Sequence, residues 1–231
     1  MNEIFIDIET IPAQSTSARA YIAQTIKPPG TIKLEASIKK WHEESKEGAI
    51  DEAVAKTGLD GALGQVVCIG YQLPGITEPE ACYGLDEAAV LTIFNSALDS
   101  LPRRMWSACT VVGHNITGFD LRFLLQRYII NGIRPHAIIN VAAQAKAWDN
   151  KVFDTMTQFA GFGKTISLDK LCYVLGIEGK GEFTWEDVLP AMLDGRSSDV
   201  ADYCKHDVSI TRQVYQRMTF AEPALIEDLQ F

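Results

Sequence analysis

The chain opens on Ile4-Phe5-Ile6-Asp7-Ile8-Glu9, and this run constrains the fold more than any other segment. Apolar, largely β-branched residues over Ile4 to Ile8 read as a strand in the middle of a sheet. Side chains two apart on a strand share a face, so Asp7 and Glu9 project with Phe5, while Ile4, Ile6 and Ile8 project oppositely. Two acids therefore sit side by side at the carboxyl end of a buried strand, where open α/β sheets place their chemistry. A strand end that turns polar as it reaches solvent would give the same pattern.

Residues 12 to 64 differ in character: polar, interrupted by Pro28-Pro29-Gly30, with helix-like charged stretches around Ile32 to His42 and Glu44 to Lys56. They read as an insertion into a single domain spanning residues 1–231. Lys27, Lys33, Lys39 and Lys40 are offset there by Glu35, Glu43, Glu44 and Glu47, so the insertion is no basic arm. Strand patterns resume at Val66 to Tyr71 and Ala81 to Tyr83, and a helix is expected from Asp86 to Leu98. Thr110 to Gly113 is a further short strand, leading through HNITGFD into a helix ending near Asn131-Gly132. A strand at Lys151 to Thr155, a helix capped by Ser167 and a long helix from Ser198 to Met218 complete the chain. The expected architecture is α/β, a mixed central sheet flanked by helices.

With 47% apolar residues, 231 residues suffice for a sizeable core. The net charge of −9 argues against coating nucleic acid through a broad basic face, since that affinity comes from Lys and Arg displacing counterions. It does not argue against gripping one end, because four site carboxylates contribute about −4 and bound cations would cancel it. Cys68, Cys82, Cys109, Cys172 and Cys204 form an odd set without a C-x-x-C pair and read as buried thiols in a reducing compartment. The N-terminus runs straight into a strand pattern, and no eighteen consecutive residues are apolar. The expectation is a soluble cytoplasmic protein.

On the last helix the apolar stripe runs through Val200, Cys204, Val208, Thr211, Val214, Tyr215 and Met218, and Asp207 points inward or to its edge. A carboxylate facing a core must be paired or bind a metal. Asp120 begins a helix immediately after a buried strand; the helix dipole alone would favour an acid there. Carboxylates converging from different elements suit hard cations such as Mg²⁺ or Mn²⁺, and a pair of ions about 4 Å apart can hydrolyse a phosphodiester. No Cys or His spacing resembles a zinc site. Lys164 in GFGKT lacks the remainder of a phosphate loop and reads as solvated, and His114 and His206 read as structural. Asp154 either supports the site or ends a strand in solvent.

These segments resemble the DEDD superfamily of 3′-5′ exonucleases, with FIDIET, HNITGFD and YCKHD as the three motifs in order. Tyr203, four before Asp207, is similar to the tyrosine subclass; the histidine subclass would carry histidine at position 202, which is Asp202. VFDTM and SLDKLCYVLGI also resemble stand-alone relatives of the proofreading domain of family B DNA polymerases. The resemblance implies an RNase H-like fold and hydrolysis of single-stranded DNA from 3′ ends to 5′-mononucleotides. It implies two divalent cations, Mg²⁺ or Mn²⁺, the first held by Asp7, Glu9 and Asp207, the second by Asp7 and, through water, Asp120. Tyr203 would orient the attacking water, and Thr10, Asn115 and Phe119 would contact the terminal nucleotide; for Phe119 a core-anchoring role is equally open. RNA as substrate and a silent scaffold of the same fold are the alternatives. The insertion is open to clamping substrate, docking a replication or repair protein, or covering the sheet.

Overall fold

The computed structural model describes residues 2–146, 149–179 and 181–221. Its centre is a five-stranded sheet of β1 (Glu3–Ile11), β2 (Gln65–Gln72), β3 (Glu80–Tyr83), β4 (Thr110–Gly113) and β5 (Val152–Asp154) in the order β3-β2-β1-β4-β5. The first three strands form an antiparallel meander, and β4 and β5 lie parallel to β1. The alternation read in the first strand is observed. Ile4, Ile6 and Ile8 enter the main core, and Phe5 packs on the opposite face with Val112 and Val208.

The helices, in chain order, are α1 (Thr16–Thr25), α2 (Glu35–Glu44), α3 (Lys46–Lys56), α4 (Glu87–Asp99), α5 (Arg103–Trp106), α6 (Asp120–Ile130), α7 (Ala137–Ala142), α8 (Thr155–Ala160), α9 (Leu168–Leu175), α10 (Trp185–Leu193) and α11 (Ser197–Met218). One face of the sheet is covered by α4 and α6 through Leu91, Phe94, Leu121, Leu124 and Tyr128. Each such side chain taken from water stabilises the fold by about 1.5–3 kcal/mol. The other face carries α10 and α11, which bury Val188, Met192, Val200 and Cys204 against Ile11, Val67 and Cys68. All five cysteines are buried. Among the described residues no helix is long and apolar enough to cross a membrane.

α11 comes unusually close to β2 because residue 70 is glycine. A Cβ there would lie 2.8 Å from Cys204 Sγ and 3.0 Å from the Cys204 carbonyl oxygen. The Gly70 N–H instead donates to that sulfur at 3.1 Å. This contact sets the height of α11 above the sheet and, with it, the height of Tyr203 and Asp207.

In the 12–64 segment Arg19 of α1 bridges to Asp51 at 2.7 Å and to Glu47, clasping α3. The Lys39–Glu43 and Lys40–Glu44 pairs along α2 are exposed and worth only a few tenths of a kcal/mol each. The stronger anchorage lies at its end. Arg127 of α6 donates to both carboxylate oxygens of Glu87, at 2.9 and 2.8 Å, and to the Gly61 carbonyl at 3.3 Å. Glu87 also accepts from the Val66 N–H at 2.7 Å, so one buried ion pair ties α4, α6, β2 and the end of the segment together.

Helices α1, α5, α7, α8 and α10 fall where the sequence analysis names none. α5, α7 and α8 span four to six residues, too short to display a helical period. α10 carries Pro190 in its interior, a residue that argues against a helix on propensity and is outweighed here by burial of Val188, Ala191 and Met192.

Candidate active site

β1 supplies the first two acids. Asp7 is half-buried and Glu9 is buried, on the face covered by α11. A carboxylate oxygen of each and the Cys204 sulfur all lie within 4.8 Å of one another. The thiol lies 3.6 Å from Asp7 Oδ2 and 3.5 Å from the Asp7 carbonyl oxygen and donates toward them. Burial first, then the hydrogen bond the thiol donates to Cys68 and the charges of Cys68, Asp7 and Glu9, push the Cys204 thiol well above its usual pKa, so it stays protonated as a donor.

Asp120 reaches the same strand from the other side. β1 pairs with β4 only over Glu3 to Phe5. Beyond it, the N–H of Ile8 donates to Asp120 Oδ1 at 3.2 Å. The acid that opens α6 thus continues the ladder where the strand has run out, which explains its burial in terms the helix dipole does not supply.

α11 carries Tyr203 and Asp207 one turn apart on the face toward the sheet. Asp207 is 2% exposed. The Tyr203 ring packs against Phe183, with centroids 5.1 Å apart at 42°.

The turn after β4 presents Asn115, whose φ of 59° lies in the left-handed region that asparagine tolerates. Asp154, at the end of the adjacent β5, fixes this turn. Its Oδ1 accepts from the N–H groups of Asn115 at 3.0 Å, Met156 at 3.1 Å and Thr157 at 3.2 Å. Its Oδ2 accepts from the Thr117 N–H at 3.0 Å and the Thr117 hydroxyl at 2.6 Å. Of the two explanations open for Asp154, the supporting one is observed: the residue is buried and caps α8 while holding the turn. His114 braces the same region, its Nδ1 3.0 Å from the Thr155 hydroxyl and its Nε2 donating to the Ile166 carbonyl at 2.9 Å. His206 Nε2 lies 3.3 Å from the Gly179 carbonyl oxygen, and Lys164 is exposed.

These elements enclose a cleft of about 500 Å³ on which Asp7, Asn115, Tyr203 and Asp207 open together. Met156, Ile166, Leu168, Phe183 and Trp185 form its apolar wall. Glu9, on β1, and Asp120, at the start of α6, are buried and are not among the residues lining the cleft. Thr10 and Phe119 are not among the residues lining the cleft. The Thr10 hydroxyl donates to the Gly58 carbonyl at 2.6 Å, and Phe119 packs on Phe123 at 5.4 Å, the core-anchoring role left open for it. Residues that sequence reasoning missed are Phe183, Trp185 and Cys204. A signal for the first two existed in Thr184-Trp185-Glu186-Asp187, a capping box that announces a helix start.

A family model described as a predicted 3′-5′ exonuclease related to the exonuclease domain of PolB matches residues 85–229. The chain belongs to this family. The matched span of this exonuclease-family chain includes Asn115, Phe119, Asp120, Tyr203 and Asp207, whereas Asp7, Glu9 and Thr10 precede it. Among solved structures, the family B DNA polymerase from the hyperthermophilic archaeon Pyrobaculum calidifontis is similar, with a TM-score of 0.58 at 14% identity. The similarity covers 94% of this chain and 24% of the polymerase chain. The mixed sheet flanked by helices is the RNase H-like fold expected from the sequence. No curated protein matches the chain.

Proposed function

We propose that this chain is a tyrosine-subclass DEDD exonuclease, one domain over residues 1–231 with an insertion at 12–64, releasing 5′-mononucleotides from 3′ ends of single-stranded DNA. The observation that carries this reading is the convergence of Asp7 from β1 with Tyr203 and Asp207 from α11 on one cleft, beside Asn115.

The donor set fits hard divalent cations. Asp7 and Glu9 offer oxygens within 4.8 Å of each other, and Asp207 brings a third carboxylate to the same cleft. Asp7, Glu9 and Asp207 would hold one Mg²⁺ or Mn²⁺, and Asp7 with Asp120, through water, a second. When bound, the ions supply Lewis-acid activation of water and stabilise charge on the leaving oxygen. The protein's own part is orientation. The Tyr203 hydroxyl serves to align the water, with Phe183 limiting the ring's freedom. Asn115, held at its strained φ by Asp154, offers its amide to the terminal nucleotide.

The experiment is digestion of 5′-end-labelled single-stranded DNA, duplex DNA and RNA with Mg²⁺ or Mn²⁺, each with and without a 3′ block. The expected result is a ladder shortening from unblocked 3′ ends of single-stranded DNA, absent in Asp7→Asn and Asp207→Asn. Faster shortening of RNA would reassign the substrate. Intact strands would sink the reading, and lack of stabilisation by either cation would mark a silent module. Five buried cysteine thiols are the support for a cytoplasmic setting.

A further inference from the structure

We propose that Trp185 is a base-stacking platform that grips the single strand at the cleft; the inference rests on the exonuclease reading above. Tryptophan is ordinarily largely buried, yet Trp185 is 71% exposed while lining the cleft that holds Tyr203 and Asp207. Its position is fixed. Thr184 and Asp187 form a capping box, the Thr184 N–H and hydroxyl donating to Asp187 Oδ2 at 2.8 and 2.9 Å, and the next turns of α10 are buried on the sheet through Val188, Ala191 and Met192. An exposed ring on a rigid, capped helix start loses little freedom when a flat ligand covers it.

Charge identifies what that ligand offers. Among the described residues no lysine or arginine lines the cleft, whereas Asp7, Asp169 and Asp207 do. The chain carries a net charge of −9. Among the described residues, phosphates therefore meet no lysine or arginine in the cleft wall, and counterion release from those side chains contributes little to the grip. Bases can supply it, because every base has a π face and stacks on an aromatic ring with little regard to sequence. Phe183 precedes Trp185 by two residues and touches Tyr203, so the apolar surface is continuous with the residue that would face the scissile bond.

The test compares wild type with Trp185→Ala and Trp185→Phe on 5′-labelled oligo(dT) and oligo(dA) at low and high salt. Trp185→Ala should raise KM about five- to one-hundred-fold on both strands, the span seen for removal of stacking aromatics, with kcat changed less than about threefold. The mutant-to-wild-type KM ratio should be the same at both salt concentrations, since stacking releases no counterions. Trp185→Phe should restore most of the loss, and the thermal midpoint should hold because the side chain is exposed. A KM within about twofold of wild type, or a ratio that collapses with salt, overturns the platform. Tryptophan fluorescence separates this failure from failure of the exonuclease reading. If wild type does not digest but oligo(dT) quenches a signal that Trp185→Ala lacks, the platform stands without the nuclease. Quenching that survives Trp185→Ala, or no quenching in wild type, overturns it.

Discussion

Asp154 is the residue on which the cleft's least regular wall depends, and its replacement by alanine gives a loss that can be worked from the contacts. Five donors lose their acceptor. The Asn115 N–H is half-buried, and a hydrogen bond to a charged acceptor contributes about 1.5–3 kcal/mol. The Met156 and Thr157 N–H groups together form the cap of α8, whose removal costs about 1 kcal/mol. Thr117 is exposed, so water replaces most of its two bonds and only about 0.5 kcal/mol is lost there. Asp154→Ala should therefore destabilise by about 3–4.5 kcal/mol, or about 6–18 °C in the thermal midpoint of a domain this size. Asp154→Asn keeps an oxygen for the three Oδ1 bonds but turns an amide toward the Thr117 N–H, and should cost about a third as much. Asn115 should leave its left-handed conformation in the alanine variant, since nothing then offsets the roughly 1 kcal/mol of strain. KM for single-stranded DNA should rise about tenfold, the equivalent of one lost neutral hydrogen bond. Urea unfolding and steady-state kinetics check both figures. Asp154→Ala unfolding within about 1 kcal/mol of wild type would refute the account of the turn.

The remaining predictions concern other parts of the same scaffold. Gly70→Ala should force α11 away from β2, destabilise by about 1–3 kcal/mol in urea and lower kcat by displacing Tyr203 and Asp207; an unchanged kcat would show that the close approach does not set the site. Arg127→Ala leaves Glu87 buried without its guanidinium and should cost about 3–5 kcal/mol, whereas replacing both partners by apolar residues should cost much less, as a double-mutant cycle would report. His136 is held below its ordinary pKa of 6.5, by burial, with Asp99 opposing the shift. The folded state thus gives up a proton that the unfolded state keeps. This contribution is complete above pH 6.5 and stability falls as pH drops below it toward the lower folded value. His136→Asn, which can still accept from the Ile138 N–H, should flatten that part of the thermal midpoint's dependence between pH 7 and pH 5.

Much of the scaffold was readable in one dimension because its signals are periodic. The period of two in Ile4 to Glu9 put Asp7 and Glu9 on one face, and the stripe of the last helix turned Asp207 inward; both follow from local geometry. Contacts that depend on which strands become neighbours were not readable. Asp154 caps a turn 39 residues earlier only because β5 pairs with β4, and Gly70 meets Cys204 across 134 residues. Thr10 shows how a single irregularity defeats alternation. The register of β1 against β2 shifts between Glu9 and Thr10, and past the shift the Thr10 hydroxyl meets Gly58. For Phe183 and Trp185 the capping box marks only a helix start, and an aromatic residue beside it carries no local mark that distinguishes a cleft wall from a core.

The arrangement of the acids also implies an order of assembly. Asp7 and Asp207 stand at opposite ends of the described chain, and they meet only when α11 has docked on β1 and β2. That docking is led by apolar contacts, Val200, Cys204 and Val208 against Val67, Cys68 and Phe5, which stabilise the pair of elements before any cation is involved. Bringing carboxylates together in a buried cleft opposes the same step through their mutual repulsion. A cation held by Asp7, Glu9 and Asp207 would therefore stabilise the docked state selectively. Its effect on the thermal midpoint should vanish in Asp207→Asn while the apolar docking persists. If Mg²⁺ and Mn²⁺ raised the midpoint of wild type and Asp207→Asn equally, the stabilising ion would lie elsewhere, and the three acids would not form one site.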